Sequence, residues 1–349
     1  MRILIAEDDE ALAKFVRQGL ESEHYTVDVF LDGEQARAAA NQSEYDLVIL
    51  DLNLPRLDGV SVLRQLRLQK PSLPVLVLTQ RTRVEDRVLC LDTGADDYVP
   101  KQLSSSSLDI LHIREDLIAK VRAAALSRRG SQSSAALKRS PQSASLENRD
   151  SLAPTPAIVA VGISTGGPKA LQEILPLLPR DLGVPILVVQ HMPRGFTAPF
   201  AQRLNSLCSV AVREATQHEA IQTGVVYIAP AGMHMTVERY PDARAFIRLD
   251  TQPENCLHIP SADITMKSVA EAYRNLAMGV IMTGMGSDGA EGMRAIYRQG
   301  GFTLGQDEAS CTVYGMPRAC AESGVLNRVV PLSQIPTQIL QATRYRKRA

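Results

Sequence analysis

An unbroken apolar run that ends in a glycine-rich turn constrains the fold of this chain more than any other feature. The run covers residues 157–163 and delivers Ser164 into the turn formed by residues 165–168. A strand buried on both faces has this pattern, which is typical of a parallel sheet. The glycines permit a tight strand-to-helix turn that exposes a serine hydroxyl beside backbone N–H groups. The turn is therefore a candidate site for a nucleophilic serine or, alternatively, a loop that cradles phosphate.

Length and composition leave room for two ordinary domains and exclude several classes of protein. The chain has 349 residues, of which 45% are hydrophobic, and its 38 basic and 38 acidic residues give no net charge. A neutral chain is not expected to bind nucleic acid or an anionic membrane. The sequence lacks a leader pattern and any apolar stretch long enough to span a bilayer, so we expect a cytoplasmic protein without membrane insertion. The five cysteines lack C-x-x-C spacing, which favours reduced thiols.

A segment rich in serine, proline and glutamine divides the chain near its middle. It covers residues 128–156 and offers too little apolar surface to offset the entropy cost of becoming ordered. The sequence therefore predicts one domain over residues 1–127, a linker over 128–156 and a second domain over 157–349.

The first domain alternates short apolar runs with amphipathic segments, which predicts five strand-helix units in a doubly wound parallel sheet. The predicted strands cover residues 2–6, 26–30, 46–50, 74–78 and 97–99, and the predicted helices begin near Glu10, Gly33, Gly59, Glu85 and Leu108.

Polar residues collect where these strands end. Glu7 and Asp8 follow the first strand, Asp51 the third, and Thr79 and Lys101 lie at the ends of the last two. Ligands bind at the carboxyl ends of the strands in such sheets. Clustered carboxylates suit Mg²⁺, which prefers oxygen ligands, and the lysine would neutralise an incoming phosphoryl oxygen.

This pattern, together with the motifs at residues 51–55 and 57–59, resembles the receiver domain of two-component response regulators. The resemblance implies that Asp51 accepts a phosphoryl group from a histidine kinase of the chemotaxis type. It also implies Mg²⁺ ligands and phosphoryl contacts: Glu7, Asp8, Asp51 and the backbone of Asn53 for the metal, and Thr79 and Lys101 for the phosphoryl group. A flavodoxin-like domain with solvated carboxylates is the alternative. Gln102 replaces the proline that usually follows the lysine, which alters the expected loop.

In the second domain, too, the candidate site residues follow strands. We predict these strands over residues 158–162, 185–189, 225–228 and 280–283. Ser164 follows the first of these strands, His191 the second and Asp288 the last. Such residues at one sheet edge can form a hydrolytic triad, with Ser164 as nucleophile, His191 as general base and Asp288 as orienting acid. Each also has a structural interpretation: a serine turn, a core histidine, and the N-cap of the helix that carries Met293.

Five separate motifs in this region resemble the chemotaxis protein-glutamate methylesterase (CheB) family, whose catalytic domain is a Rossmann-like α/β fold. They lie at residues 162–168, 190–204, 228–234, 282–290 and 308–317. The resemblance implies hydrolysis of glutamyl methyl esters on methylated chemoreceptors through an acyl-enzyme, with release of methanol, and deamidation of receptor glutamines. The reaction that the resemblance implies needs no cofactor in this domain.

The resemblance also suggests which other residues lie at the site. Backbone groups at Thr165 and Gly166, together with Met285, are candidates for the oxyanion site, and His234 for its lining. We interpret His218 and His258 as surface groups. Members of the family carry arginine where this chain has Ile259, so a contact to substrate or between domains is expected to differ.

The two halves together suggest regulation: the unphosphorylated receiver covers the Ser164 cleft, and phosphorylation of Asp51 favours an open state. Two alternatives belong to other classes. One is a DNA-binding response regulator, which the absence of a basic recognition helix argues against. The other is a catalytically silent adaptor in a different two-component pathway.

Overall fold

The computed structural model of the chain describes residues 1–71, 73–79, 93–101, 117, 121, 154–254 and 256–345. It divides into two units, Met1–Leu126 and Ser127–Ala349, which we describe separately. The helices predicted near Glu85 and Leu108 lie outside the described residues, as does the linker predicted over residues 128–156 except for its last three residues. The domain boundaries therefore remain predictions.

The first unit contains a parallel five-stranded sheet with the order β2-β1-β3-β4-β5, which confirms the predicted fold class. The strands are β1 (Arg2–Ala6), β2 (Thr26–Phe30), β3 (Leu47–Leu50), β4 (Val75–Thr79) and β5 (Asp97–Pro100). β1 and β3 are neighbours and run in the same direction, so the residues that follow them share one edge of the sheet.

Three helices of this unit begin where an aspartate caps the first turn. They are α1 (Glu10–Ser22), α2 (Gly33–Gln42) and α3 (Gly59–Gln69). The side chains of Asp9, Asp32 and Asp58 accept hydrogen bonds from backbone N–H groups of the respective first turns. Such caps satisfy donors that would otherwise be unpaired, which explains why the predicted starts of these helices agree with the structure.

The second unit is built on a parallel seven-stranded sheet with the order β14-β13-β12-β6-β7-β9-β8, and this also confirms the α/β prediction. The strands are β6 (Ile158–Ile163), β7 (Ile186–Gln190), β8 (Ala211–Glu214), β9 (Val225–Ile228), β12 (Ala277–Ile281), β13 (Phe302–Gln306) and β14 (Arg328–Val330). An antiparallel hairpin, β10 (His234–Arg239) and β11 (Ala245–Asp250), lies outside this sheet. The helices are α4 (Gly167–Ile174), α5 (Thr197–Leu207), α6 (Ala262–Tyr273), α7 (Ala290–Arg298), α8 (Met316–Glu322) and α9 (Ile335–Ala342).

The strand order reverses at β6, because β7 lies on one side of it and β12 on the other. Open α/β sheets bind ligands at such switch points, where loops on either side of the first strand diverge and leave a crevice. The turn that contains Ser164 emerges at this crevice.

One predicted strand differs from the structure by more than one residue at its ends. We predicted residues 280–283, whereas β12 covers Ala277–Ile281 and pairs with β6 over that whole length. Beyond it, the N–H of Thr283 donates to Gln306 Oε1 (2.9 Å) and its hydroxyl donates to the carbonyl of Thr165 (2.9 Å). These side-chain bonds turn the chain out of the sheet and into the loop that carries Asp288.

The hairpin, the edge strands β8 and β14, and strand β13 were not predicted. The hairpin buries Met235, Val237 and Ile247 in the same core as Met266 and Val269 of α6. None of the helices among the described residues is long and apolar enough to span a membrane.

Candidate functional site

Three adjacent strands bring Ser164, His191 and Asp288 to one edge of the second sheet. Ser164 follows β6, His191 follows β7, and Asp288 lies in the loop after β12. Backbone bonds join these loops directly: the N–H of Ser164 donates to the carbonyl of Thr283 (3.0 Å), and the N–H of His191 donates to the carbonyl of Ile163 (3.2 Å). The relative positions of the loops are thus fixed by the parallel sheet from which they emerge.

His191 and Asp288 form a direct, largely buried pair. Nε2 of His191 lies 2.8 Å from Oδ2 of Asp288, and the two side chains are only 8% and 13% exposed. Nδ1 of His191 is buried and has no hydrogen-bond partner among the described residues. A neutral imidazole that donates from Nε2 to a carboxylate keeps Nδ1 as an acceptor. The pair can therefore take up one proton at Nδ1.

The carboxylate of Asp288 also lies at the N-terminus of α6. It accepts hydrogen bonds from the hydroxyl of Ser261 (2.8 Å) and from the N–H groups of Ala262 (2.7 Å) and Asp263 (3.0 Å). The positive end of a helix dipole stabilises a carboxylate at this place. Burial alone would raise the pKa of Asp288, but the bond and charge of His191 and the two amides outweigh it and hold the pKa well below its usual range. The acid is therefore ionised whenever the protein is folded near neutral pH.

This arrangement overturns the structural interpretation of Asp288 as the N-cap of the helix that carries Met293. The cap position of that helix, α7, is Gly289, and no side chain caps it. Asp288 instead serves a different helix, because the loop after β12 folds back against the start of α6.

Gln190 ties the serine loop to the histidine loop. Its side chain is 1% exposed, and its Nε2 donates to the carbonyls of both Ser164 and His191, each at 3.0 Å. A Cβ atom at Gly167 would lie 2.0 Å from Oε1 of Gln190, so only glycine fits beside this amide. The side-chain amide of Gln190 thus binds both loops that carry the candidate catalytic residues. The sequence alone did not indicate a role for Gln190.

The turn after Ser164 depends on a glycine in the left-handed conformation. Gly166 has a φ of 79°, and a Cβ atom there would lie 2.3 Å from the hydroxyl oxygen of Thr312. The role of Thr165, Gly166 and Met285 at the oxyanion site remains a prediction.

His234 is buried and fully engaged. Its Nδ1 accepts from the N–H of Ser261 (3.2 Å), and its Nε2 donates to the carbonyl of Pro253 (3.2 Å). Since both ring nitrogens are occupied by backbone groups, His234 offers neither to a substrate. Its contacts hold Ser261, which in turn binds Asp288.

His258 is half-buried and contacts His191, which its interpretation as a surface group did not include. Its ring stacks on that of His191, with centroids 4.1 Å apart and an angle of 17° between the planes. Nothing in the local sequence marks this contact, because it joins two loops far apart in the chain. His218, by contrast, is exposed as predicted.

The first unit has its own polar cluster at the carboxyl ends of β1 and β3. Ligand oxygens of Glu7, Asp8 and Asp51 lie within 4.8 Å of one another. Nζ of Lys101 donates to Glu7 Oε1 and Asp51 Oδ2, both at 2.7 Å. Oε2 of Glu7 is buried without a hydrogen-bond partner among the described residues. An orphaned carboxylate oxygen among other carboxylates fits a hard cation such as Mg²⁺.

Burial and charge oppose each other in this cluster. Burial raises the pKa of Glu7 to about 7, although Lys101 works to lower it. Burial lowers the pKa of Lys101, but its bonds to Asp51 and Glu7 outweigh this and raise it. The lysine therefore remains charged at neutral pH.

The remaining predicted residues of this cluster are only partly described. Asn53 is exposed and lies two positions after Asp51. Thr79 ends β4, next to β3, and its side chain lies outside the described residues.

Comparison with known proteins agrees with both units. The CheB methylesterase family model matches residues 159–339, and the response regulator receiver domain model matches residues 3–111. A protein-glutamate methylesterase/protein-glutamine glutaminase of Geobacter sulfurreducens is 38% identical over 349 residues, which is 97% of this chain and 96% of that protein. A protein with the same name from Symbiobacterium thermophilum is 38% identical over 98% of this chain and 97% of its own length. The crystal structure of the Thermotoga maritima CheB methylesterase catalytic domain has a TM-score of 0.52 and 38% identity, covering 54% of this chain and 99% of that one.

The position of Asp288 predicts a stability effect that is independent of any activity. We expect Asp288→Asn to lower the free energy of unfolding by about 1–3 kcal/mol at pH 7, because an amide places a donor against donors. The depressed pKa means that the carboxylate stabilises the fold fully above the ordinary aspartate value of 3.8 and loses this effect as the pH falls below it. The difference between parent and variant in urea titrations should therefore narrow below about pH 4.

Asp242→Asn is the matched control for this measurement, since Asp242 is an exposed hairpin aspartate. Equal stabilities for the two variants would contradict the role of Asp288 at α6.

Proposed function

The chain belongs to the CheB methylesterase family and carries a receiver domain ahead of the catalytic domain, and on this premise we propose that Ser164, His191 and Asp288 hydrolyse glutamyl methyl esters on chemoreceptors. One observation carries the assignment: His191 binds Asp288 through Nε2 and keeps a buried, unpartnered Nδ1. A histidine held in this way is what a general base beside a nucleophile requires. The proposed enzyme acts in the cytoplasm.

The proposed reaction is an acyl transfer in two steps. The hydroxyl oxygen of Ser164 attacks the side-chain carbonyl carbon while Nδ1 of His191 takes its proton, and Asp288 stabilises the resulting imidazolium. Backbone donors at Thr165, Gly166 and Met285 would bind the oxyanion. The imidazolium then protonates the departing methoxide, which leaves as methanol and forms an acyl-enzyme. Water, deprotonated by His191, attacks this ester and releases the free carboxylate and the serine.

A receptor glutamine would follow the same steps, with ammonia as the leaving group instead of methanol. Both reactions pass through one acyl-enzyme, so the same residues support the methylesterase and the deamidase activity. The site requires no cofactor for either reaction.

The receiver would supply control. We propose that Asp51 accepts a phosphoryl group from a chemotaxis-type histidine kinase, with Mg²⁺ held by Glu7, Asp8, Asp51 and the backbone of Asn53. The bound cation would offset negative charge on the phosphoryl oxygens. Lys101 already contacts Asp51 and would exchange that contact for a phosphoryl oxygen, with Thr79 as a further contact. Phosphorylation would relieve inhibition of the esterase, because it favours one of two states over the other.

A DNA-binding response regulator is no longer an alternative, since the methylesterase family model matches residues 159–339 of the second unit. A catalytically silent adaptor is distinguished from the proposed enzyme by the first of the following experiments.

The chemistry predicts that the purified chain releases methanol from a methylated chemoreceptor fragment and that Ser164→Ala does not. Loss of the hydroxyl removes the nucleophile, so the rate of methanol release should fall by at least about 1000-fold, to the level of the uncatalysed background. Methanol is measured by a coupled alcohol oxidase assay. Folded parent protein that releases none would favour the adaptor.

Phosphorylation is tested by adding a small-molecule phosphodonor and Mg²⁺ to the same assay. We expect methanol release to rise several-fold and the rise to be lost in Asp51→Asn and when Mg²⁺ is chelated. Asp46→Asn is the matched control, because Asp46 directly precedes β3 and Asp51 directly follows it. A rise that persists in Asp51→Asn would contradict Asp51 as the acceptor.

The contacts of Gln190 predict a catalytic defect in a residue that never touches the substrate. Gln190→Leu removes the two bonds that join the serine and histidine loops, and a misplacement of about 1 Å costs on the order of 100-fold in rate. We expect kcat to fall by about that factor while KM changes little, in contrast to Gln202→Leu on the exposed face of α5. A change confined to KM would show that Gln190 does not position the catalytic pair.

A further inference from the structure

The proposed substrate has a short reach, which brings the substrate chain onto the rim of the site. The ester carbon of a glutamyl residue is three bonds from its Cα, a distance of about 4 Å when extended. Ser164 must approach that carbon, so the residues on either side of the ester necessarily lie against the surface that surrounds Ser164 and His191. The groups exposed there would contact the substrate protein itself.

One side of this rim is the loop of residues 256–261. The loop contacts the catalytic pair at two points: His258 stacks on His191, and the hydroxyl of Ser261 binds Asp288. Leu257 lies between these contacts and Cys256, and it is 91% exposed. Its neighbour in sequence thus touches the proposed general base while its own side chain faces solvent.

A second turn, residues 230–234, joins the same rim. The N–H of Gly232 donates to the carbonyl of Ile259 (2.9 Å), and Nδ1 of His234 accepts from the N–H of Ser261 (3.2 Å). Met233 lies between these two bonded residues and is 42% exposed. The two loops therefore carry one exposed apolar side chain each.

Leu257 is unusually exposed within the described part of the chain. Nine large apolar side chains are exposed there, and Leu257 is the most exposed of them. Single exposed apolar residues need no explanation, but Leu257 and Met233 lie on hydrogen-bonded loops, one of which also contacts the candidate catalytic pair.

We propose that Leu257 and Met233 form an apolar rim that binds an apolar side chain of the substrate protein next to the glutamyl ester. This inference rests on the proposed function, because the occupant is the protein that carries the ester. Removal of apolar surface from water favours binding in proportion to its area, and it does not require a directed contact. A small ester without flanking residues would gain nothing from the rim.

The test compares two substrates in the full-length chain: a methylated chemoreceptor fragment and the γ-methyl ester of N-acetylglutamate. The quantity of interest is the ratio of kcat/KM for the fragment to kcat/KM for the small ester. We expect Leu257→Ser to lower this ratio about tenfold and Leu257→Met to restore it, because methionine keeps a similar apolar area. Met233→Ser should lower it in the same direction.

Leu177→Ser is the matched control. Leu177 is also strongly exposed (61%), but it lies beyond the C-terminal end of α4, whereas Ser164 precedes the N-terminal end. The ratio for this variant should equal that of the parent, and thermal unfolding should confirm that all variants are folded.

Each other outcome overturns the inference in a recognisable way. An unchanged ratio in Leu257→Ser would show that the rim does not contact the substrate. If Leu257→Ser raises kcat/KM for both substrates without phosphodonor, Leu257 contacts the receiver. If the variant has a lower molar mass than the parent in light scattering, Leu257 contacts a second copy of the chain. If the parent hydrolyses neither ester, the proposed function itself fails, and the rim has no substrate to bind.

Discussion

The position of one carboxylate governs the geometry of the candidate active site. Asp288 accepts four hydrogen bonds, from His191, Ser261 and the first amides of α6. These donors come from different loops, and all of them converge because the carboxylate lies at the positive end of a helix. Without this charge, a buried imidazole and the start of a helix would have no common partner. The orientation of His191 therefore depends on an interaction that also stabilises the fold.

Both parallel sheets bring candidate site residues together in the same way. In the first unit, β1 and β3 are neighbours and deliver Glu7 and Asp51 to one edge. In the second unit, β6 lies between β7 and β12 and delivers Ser164 between the loops of its neighbours. A parallel sheet aligns the carboxyl ends of its strands, so residues far apart in sequence meet without a long loop between them.

The sequence predicts well those structural features that depend on local chemistry. Helix starts at Asp9 and Asp32 were predicted correctly because a capping aspartate is a local signal, and the buried strands have a clear apolar pattern. The contacts of Gln190 and His258 could not be predicted, because each joins loops whose proximity arises only from the sheet order. The same applies to Asp288, whose helix partner is α6 rather than the helix that follows it. The hairpin β10–β11 lacked a short turn signal of glycine and asparagine between its strands.

The orientation of the His191 ring has a consequence for covalent inhibitors. The ring nitrogen bound to the carboxylate is Nε2, which leaves Nδ1 as the basic nitrogen. In the serine proteases the assignment is the reverse, with Nδ1 on the aspartate and Nε2 facing the serine. An electrophile that alkylates the His191 imidazole would here give the Nδ1 adduct, a positional isomer of the protease product. An inhibitor that bridges the serine and histidine would accordingly need its two reactive centres spaced for an imidazole turned the other way round.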